Sequence, residues 1–298
     1  MKKTDKMGIV MIVFGALFVI SGFSLFSQNQ IGSAIAGLAI GAILIVLGVK
    51  RIQNPPAKKP SQAELTQEQI AARLEAQKRK EANFKATINS IPKKEISCSH
   101  TELQRYALNE IPEIKTANIA KTFNPSSLPA FVVIDTETTG LKAASDRIIE
   151  LSAIMYEDYA PVSCWSTRIK IDSSIPQKAS DINGIYDSDL EKAPYLEEVA
   201  ESFLSYIGSL PIVGYNIGFD LKFLFCSGIN LIKLKQKKYD VLSLARQHFK
   251  YMEGGYSLEN VCDELGIYYI PHKSISDCYA TGELFKAIIS DRTGTYIG

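Results

Sequence analysis

The sequence predicts an α/β protein in which a mixed β-sheet is flanked by helices and is preceded by an α-helical transmembrane hairpin. Three observations support this fold class. Two long apolar segments lie before residue 50, β-rich apolar segments follow one another from residue 131, and helical patterns alternate with short strands after residue 195. Consecutive strands followed by alternating helices and strands are typical of a mixed sheet with helices on its faces.

The two apolar segments are residues 7–27 and 31–49, and neither contains a charged side chain. Each has about 20 residues, which is enough for a helix that crosses the ~30 Å core of a bilayer. Only a short polar break separates them, so the second helix must turn straight back. We therefore expect a two-helix membrane hairpin over residues 1–52, with membrane lipid contacting residues 7–49.

Positive charges indicate the orientation of this hairpin. Lysines and arginines lie before the first segment and after the second, and none lies in the turn between them. The positive-inside rule then predicts a multi-pass protein of the cell membrane with both ends in the cytoplasm. A cleaved signal peptide is the alternative for the first segment, but its apolar core is too long and a second span follows at once.

Residues 53–128 are expected to form a linker. Three prolines and two lysines in residues 53–60 are typical of an exposed chain. Residues 65–86 contain no glycine or proline and many charged residues, which predicts a solvated surface helix rather than a coiled coil. Residues 101–108 show a further helix-like pattern, and the sequence suggests no function for residues 88–128.

Charge and cysteine usage limit the possible functions. Residues 131–298 carry 16 basic and 23 acidic side chains, so this part binds nucleic acid well only if cations neutralise some of the acids. The five cysteines are scattered and form no C-x-x-C pair. This pattern disfavours a zinc site or a disulfide framework and is typical of free thiols in a reducing cytosol.

A globular domain is predicted over residues 129–292, with its first strands near its start. The expected strands are residues 131–135, 148–156, 163–171 and 211–214, with a turn at 157–161 and a strand or strand–helix junction at 239–244. Helices are expected at residues 195–207, 219–226, 257–265 and 277–289.

Acidic residues stand at the ends of these elements. Asp135 and Glu137 end a buried strand and lie two residues apart, so both can point to one face. Asp220 follows another strand, and Asp277 opens the last helix five residues after His272. Because such strand ends surround a crevice in open α/β sheets, we expect the acids to converge. Four converging carboxylates repel one another unless hard divalent cations lie between them.

Three motifs occur in order along this domain. They read DTETTG at residues 135–140, VGYNIGFD at 213–220 and HKSISD at 272–277, with connecting segments DINGI at 181–185 and YSLEN at 256–260. Together they resemble the DnaQ-like DEDDh exonuclease family, which includes the epsilon proofreading subunit of bacterial DNA polymerase III. Tyr215 and Ser274 depart from the residues that are frequent in the family, His and Ala, but neither position holds a metal ligand there.

The resemblance implies a ribonuclease H-like fold and a 3′→5′ exonuclease that releases nucleoside 5′-monophosphates from single-stranded DNA or RNA. It implies two divalent cations, Mg²⁺ or Mn²⁺, with His272 as the general base. The implied metal ligands are Asp135, Glu137, Asp220 and Asp277. The implied contacts to the terminal nucleotide are Thr136, Thr139, Gly140, Leu141, Asn216 and Phe219. For Leu141 and Phe219, packing in the core is an equally good interpretation.

Two other functions are compatible with the sequence. One is a catalytically idle module that binds nucleic-acid ends beside a membrane, although all five expected active-site residues are present. The other is a membrane scaffold in which the charged helix is the important part. The sequence does not distinguish DNA from RNA as substrate, and it leaves repair, RNA turnover and defence open as biological roles.

Overall fold

The computed structural model describes residues 67–297, and Leu74–Gly298 forms one compact unit. The membrane hairpin expected at residues 1–52 lies outside the described residues. Among residues 67–297, no helix combines the length and the apolar character needed to cross a bilayer. All five cysteines are free thiols in the described residues, and four of them are buried.

The centre of the domain is a five-stranded mixed sheet in the order β3-β2-β1-β4-β5. Strands β1, β2 and β3 are antiparallel neighbours, whereas β4 and β5 run parallel to β1. This arrangement is the mixed sheet that the sequence predicts. The strands are β1 (Ala130–Thr138), β2 (Ile148–Glu157), β3 (Ala160–Arg168), β4 (Ile212–Gly214) and β5 (Lys238–Asp240).

Helices cover both faces of this sheet. The described helices are α1 (Gln67–Ser90), α2 (Gln177–Asn183), α3 (Asp187–Leu190), α4 (Leu196–Ile207), α5 (Gly218–Cys226), α6 (Val241–His248), α7 (Leu258–Leu265) and α8 (Ser274–Thr293). Val132 and Ile134 of β1 belong to the core beneath α4 and α5. Phe131 and Val133 belong to the core beneath α6 and α8. The alternation of side chains along β1 therefore separates two hydrophobic layers.

The turn between β2 and β3 lies where the sequence predicts it, but β3 begins earlier than expected. Asp158 and Tyr159 both have positive φ angles, of 46° and 63°, which is the backbone of a tight two-residue hairpin. This conformation is costly for a tyrosine. The Tyr159 ring is buried against Phe131 and its hydroxyl donates to the Pro125 carbonyl, so packing offsets the cost.

Residues 91–128, which we call the strap, run across the surface of the domain. The helix expected at residues 101–108 is wrong, because residues 101–107 have no regular secondary structure. Their backbone N–H groups bond to other elements instead, as Thr101 does to the Glu197 carbonyl and Tyr106 to the Cys226 carbonyl. Apolar side chains at helical spacing here serve to cover the core, and the Tyr106 ring stacks on Phe225.

The strap contacts both outer strands of the sheet. At the β3 edge, the N–H of Lys94 donates to the Cys164 carbonyl over 2.8 Å. At the β5 edge, the N–H of Ala117 donates to the Lys238 carbonyl over 2.7 Å. A segment expected to be a linker thus supplies hydrogen bonds that exposed sheet edges otherwise lack.

Candidate active site

Strand β1 directs two carboxylates toward the side of the sheet that α8 covers. Asp135 and Glu137 continue the alternation of Phe131, whose ring packs edge-on against Phe285 of α8. Asp277 lies in the first turn of α8. Ligand atoms of Glu137, His272 and Asp277 all lie within 4.8 Å of one another. The structure therefore brings the first and third motifs into one hollow.

Asp220 lies in the first turn of α5, is buried, and is near enough to Asp135 and Asp277 for its charge to contribute to their raised pKa values. Its Oδ1 accepts hydrogen bonds from the N–H of Thr136, at 3.0 Å, and from the Thr136 hydroxyl, at 2.7 Å. The hydroxyl of Thr136 is therefore already hydrogen-bonded to Asp220. It lies between Asp135 and Glu137 in sequence, so one stretch of β1 supplies two acids and holds a third.

The four carboxyl groups have raised pKa values. Burial, followed by the charges of Asp220, Asp277 and Glu137, raises the pKa of Asp135 well above its ordinary value. Burial also raises the pKa of Glu137 and of Asp220 to about 7. The pKa of Asp277 rises to about 8 because of burial and the charge of Glu137. Burial is the largest cause of all four shifts, and the charges of neighbouring carboxylates add to it.

One further observation indicates that cations belong in this hollow. Asp277 Oδ1 is buried and has no hydrogen-bond partner among residues 67–297. A buried carboxylate oxygen without a partner is costly unless a ligand supplies the missing contact. Carboxylate oxygens are the donors that Mg²⁺ and Mn²⁺ prefer, so the residues present fit these ions.

His272 lies just before α8 with a φ of 58° and an exposed side chain. A positive φ at a residue other than glycine is uncommon and costs of order 1–3 kcal/mol, and such residues cluster at functional sites. Its ring nitrogen is within 4.8 Å of the carboxylate oxygens of Glu137 and Asp277. A single water molecule can bridge separations of that size.

A cavity of about 530 Å³ opens beside these groups. Five of the six residues expected to contact a nucleotide line it, and they are Thr136, Thr139, Gly140, Leu141 and Phe219. Leu141 is 85% exposed, which excludes packing in the core. Phe219 is half-buried, with its ring 4.7 Å from that of Phe223, so it serves both the core and the cavity.

Asn216, the sixth expected residue, lies elsewhere. It lines a separate depression together with Asp240 and Lys222. Its φ is 55°, and its backbone N–H donates to Asp240 Oδ1 over 2.9 Å. In this structure Asn216 therefore shapes the turn before α5 and does not join the other five residues at the cavity.

The loop after β1 presents Leu141 to the cavity. Thr139 Oγ1 accepts a hydrogen bond from the N–H of Arg147, and Asp146 Oδ2 accepts one from the N–H of Lys142. A Cβ atom at Gly140 would collide with the Asp146 carboxylate. Glycine is therefore required at position 140 for Asp146 to close the loop.

The opposite wall of the cavity was not predicted. It is formed by Pro176, Lys178, Ala179, Ile182 and Asn183, in and beside α2. Helix α2 ends at Asn183 and is capped by Gly184, whose φ is 62°. The DINGI segment at residues 181–185 was the available signal, because it covers the exposed Ile182 and the terminating glycine.

Comparison with known proteins supports the family. The chain is 34% identical over 166 residues to the DNA polymerase III subunit epsilon of Treponema pallidum, covering 54% of this chain and 77% of that protein. It is 30% identical over 191 residues to the PolC-type DNA polymerase III of Thermotoga petrophila. That region is 63% of this chain but only 14% of the much longer relative.

Two solved structures are similar to this chain, each with a TM-score below 0.5. One is Exonuclease X in complex with 5′ overhanging duplex DNA, with a TM-score of 0.45, 24% identity and coverage of 56% of this chain and 95% of that one. The other is E. coli Exonuclease I in complex with a dA16 oligonucleotide, with a TM-score of 0.46 and 21% identity, covering 55% of this chain and 41% of that one.

A family model described as "Exonuclease" matches residues 132–285. The match contains all three motifs, at residues 135–140, 213–220 and 272–277, so the predicted family is confirmed. Since it spans more than half of the 298 residues, the chain belongs to the exonuclease family.

Proposed function

We propose that this protein is a metal-dependent 3′→5′ exonuclease that hydrolyses single-stranded DNA or RNA ends to nucleoside 5′-monophosphates. The observation that carries the proposal is the hollow in which ligand atoms of Glu137, His272 and Asp277 lie within 4.8 Å of one another beside a nucleotide-sized cavity. The buried, unpartnered Asp277 Oδ1 supports a role for cations there.

The chain's own residues divide the work between metal binding and proton transfer. Asp135, Glu137, Asp220 and Asp277 would hold two divalent cations, and Thr136 fixes the Asp220 carboxylate for that purpose. When bound, such ions lower the pKa of water and stabilise charge on the phosphate oxygens. His272 takes the proton from the attacking water, because imidazole is the side chain that enzymes use most often as a general base.

The cavity is suited to an unpaired 3′-terminal nucleotide. Leu141, Ile182 and Phe219 supply apolar surface on which a base can pack, and Lys178 supplies a positive charge at the rim. Its volume of about 530 Å³ falls within the ~300–1,000 Å³ of typical small-ligand sites. A base that inserts between such walls must be free of its complement, which favours single-stranded ends.

The test uses the purified full chain with 5′-labelled single-stranded DNA and RNA in Mg²⁺, Mn²⁺ or EDTA. We expect stepwise shortening from the 3′ end that EDTA abolishes. Asp135→Ala should lower turnover by at least about 10³-fold, because transition-state charge is no longer stabilised, without loss of folding. Glu157→Ala, which alters an exposed acid at the end of β2, is the matched control.

The opposite result has a clear meaning. If the wild-type chain binds 3′ ends normally but neither Mg²⁺ nor Mn²⁺ stimulates release of mononucleotides, the protein is a catalytically idle end-binding module. Internal cleavage in place of stepwise shortening would also reject the proposal.

The proposal includes a membrane tether with the exonuclease domain on the cytoplasmic face. It is supported by the uncharged apolar segments at residues 7–27 and 31–49 and by the positive charges at their outer ends. We expect the full chain to remain in the membrane fraction after alkaline carbonate washing and a chain lacking residues 1–52 to be released. Recovery of the full chain in the supernatant would contradict the tether.

A further inference from the structure

The N-terminus of α8 lacks a cap from its own sequence. Lys273 occupies the N-cap position, and its side chain makes no capping hydrogen bond. Its Nζ donates instead to the carbonyl of Asn183, at the end of α2, over 2.8 Å. The first N–H groups of a helix need acceptors from elsewhere, so the cap must come from another element.

Glu150 of β2 supplies that cap. Its Oε2 accepts hydrogen bonds from both the N–H and the hydroxyl of Ser274, each at 2.9 Å. Glu150 is only 8% exposed, and Ser274 is fully buried. A carboxylate at this position also interacts favourably with the positive end of the helix dipole. The first turn of α8 is thus hydrogen-bonded to a residue that lies 124 positions earlier in the chain.

The other oxygen of Glu150 is also occupied. Oε1 accepts a hydrogen bond from Nε of Arg168 over 3.1 Å, between neighbouring residues of β2 and β3. The same guanidinium lies 3.4 Å from Asp189 of α3. Both carboxylate oxygens therefore bind protein groups, although Glu150 is the register partner of Glu137. The geometry differs from that of Asp277, which has a free buried oxygen.

A row of serine hydroxyls completes the contact. Because the Ser274 hydroxyl donates to Glu150, it accepts a hydrogen bond from Ser152, which in turn accepts one from Ser166. Ser152 and Ser166 are register partners on β2 and β3. Serine at position 274, where the family often has alanine, is therefore explained by partners that only the fold brings together.

We propose that Glu150 is a positioning residue of the exonuclease reaction, which caps α8 from β2 and thereby fixes Asp277 and His272 in the hollow. The inference rests on the proposed function and deepens it. Asp277 lies three residues after Ser274 and His272 lies two residues before it, so a shift at Ser274 moves both. Groups that orient metal ligands are worth about 10–100-fold in metal affinity or activity.

The experiment measures Mn²⁺ affinity by electron paramagnetic resonance on the full chain without substrate, together with kcat and KM on single-stranded DNA. In Glu150→Ala the Kd for Mn²⁺ should rise about 10–100-fold and kcat should fall by a similar factor. KM should change by less than about threefold, because the nucleotide cavity is intact. Ser274→Ala, which keeps the backbone N–H, should raise the Kd by about 3–10-fold, and Glu157→Ala should match wild type.

Three results would overturn the proposal. The first is a folded Glu150→Ala protein with wild-type Kd and kcat. The second is a Glu150→Ala protein whose losses are explained entirely by its unfolded fraction. The third applies if Glu150→Ala does not fold, and it is a Ser274→Ala protein with unchanged Kd. Because the Kd is measured without substrate, a wild-type chain that binds Mn²⁺ but releases no nucleotide would refute the proposed function alone.

Discussion

At the scale of single residues, the buried acids couple the stability of the domain to pH. The pKa of Asp277 is raised to about 8 and those of Glu137 and Asp220 to about 7, so the folded state binds protons more tightly than the unfolded state. For a raised carboxyl pKa, the stabilising contribution is complete at low pH and is lost as pH rises through the folded-state value.

We therefore expect the metal-free protein to melt at a lower temperature at pH 8.5 than at pH 6. Even about 2 kcal/mol of lost stability lowers Tm by roughly 4–8 °C in a domain of this size. Mn²⁺ should remove the trend because it stabilises the charged carboxylates, and Asp277→Asn should flatten it. Scanning calorimetry in EDTA checks this, and a Tm of wild type that rises between pH 6 and 8.5 would contradict it.

The position of His272 beside Glu137 and Asp277 is compatible with a general base and with a metal ligand. Two variants separate these roles. If it is the base, His272→Ala should lower kcat by about 10²–10⁴-fold and leave the Kd for Mn²⁺ within about threefold of wild type. Asp277→Ala should instead weaken Mn²⁺ binding strongly. An equal loss of Mn²⁺ affinity in both variants would show that the imidazole binds the metal.

At the scale of elements, the C-terminal part of α1 is attached to the catalytic domain. Phe84 is 7% exposed, and its ring makes edge contacts with Tyr268 and Tyr279 at 5.9 and 5.7 Å. Ile70 and Leu74, nearer the start of the helix, are 42% and 52% exposed. The helix is therefore solvated at its beginning and packed at its end, beside the segment that leads to His272.

Phe84→Ala should destabilise the domain by roughly 3 kcal/mol, because an aromatic side chain is lost from a buried contact. Leu74→Ala, at an exposed position of the same helix, should change stability by less than about 0.5 kcal/mol. Urea unfolding followed by the fluorescence of Trp165, the single tryptophan, measures both. Equal effects of the two substitutions would mean that α1 is not docked through Phe84.

At the scale of the whole molecule, the parts that could be predicted depend on short stretches of sequence. Asp135 and Glu137 follow an apolar run, and alternation along a strand is enough to place both on one face. Asp220 and Asp277 each lie in the first turn of a helix. These local patterns predicted the mixed sheet and the convergence of the motifs, and the family supplied the role of His272.

The parts that could not be predicted depend on contacts between distant residues. Glu150 looks like an ordinary strand residue until Ser274 and Arg168 are placed beside it. Thr136 lines the cavity, but the bond from its hydroxyl to Asp220, 84 residues away, has no signal in the sequence. Helix α2 and the strap have only weak secondary-structure patterns in their sequences. The conformation of each depends on its contacts with the rest of the domain.

The strap has a consequence for the order of events on the ribosome. The N–H of Ala117 donates to the carbonyl of Lys238, which is synthesised 121 residues later. Lys94 likewise precedes Cys164, whose carbonyl accepts its N–H. The nascent strap therefore emerges before the strands that it contacts. Its Lys94 end can pack once β3 has left the exit tunnel, and its Ala117 end only after β5 has done so. We infer that this chain completes its fold late in translation, with the earliest part of the domain among the last to find its place.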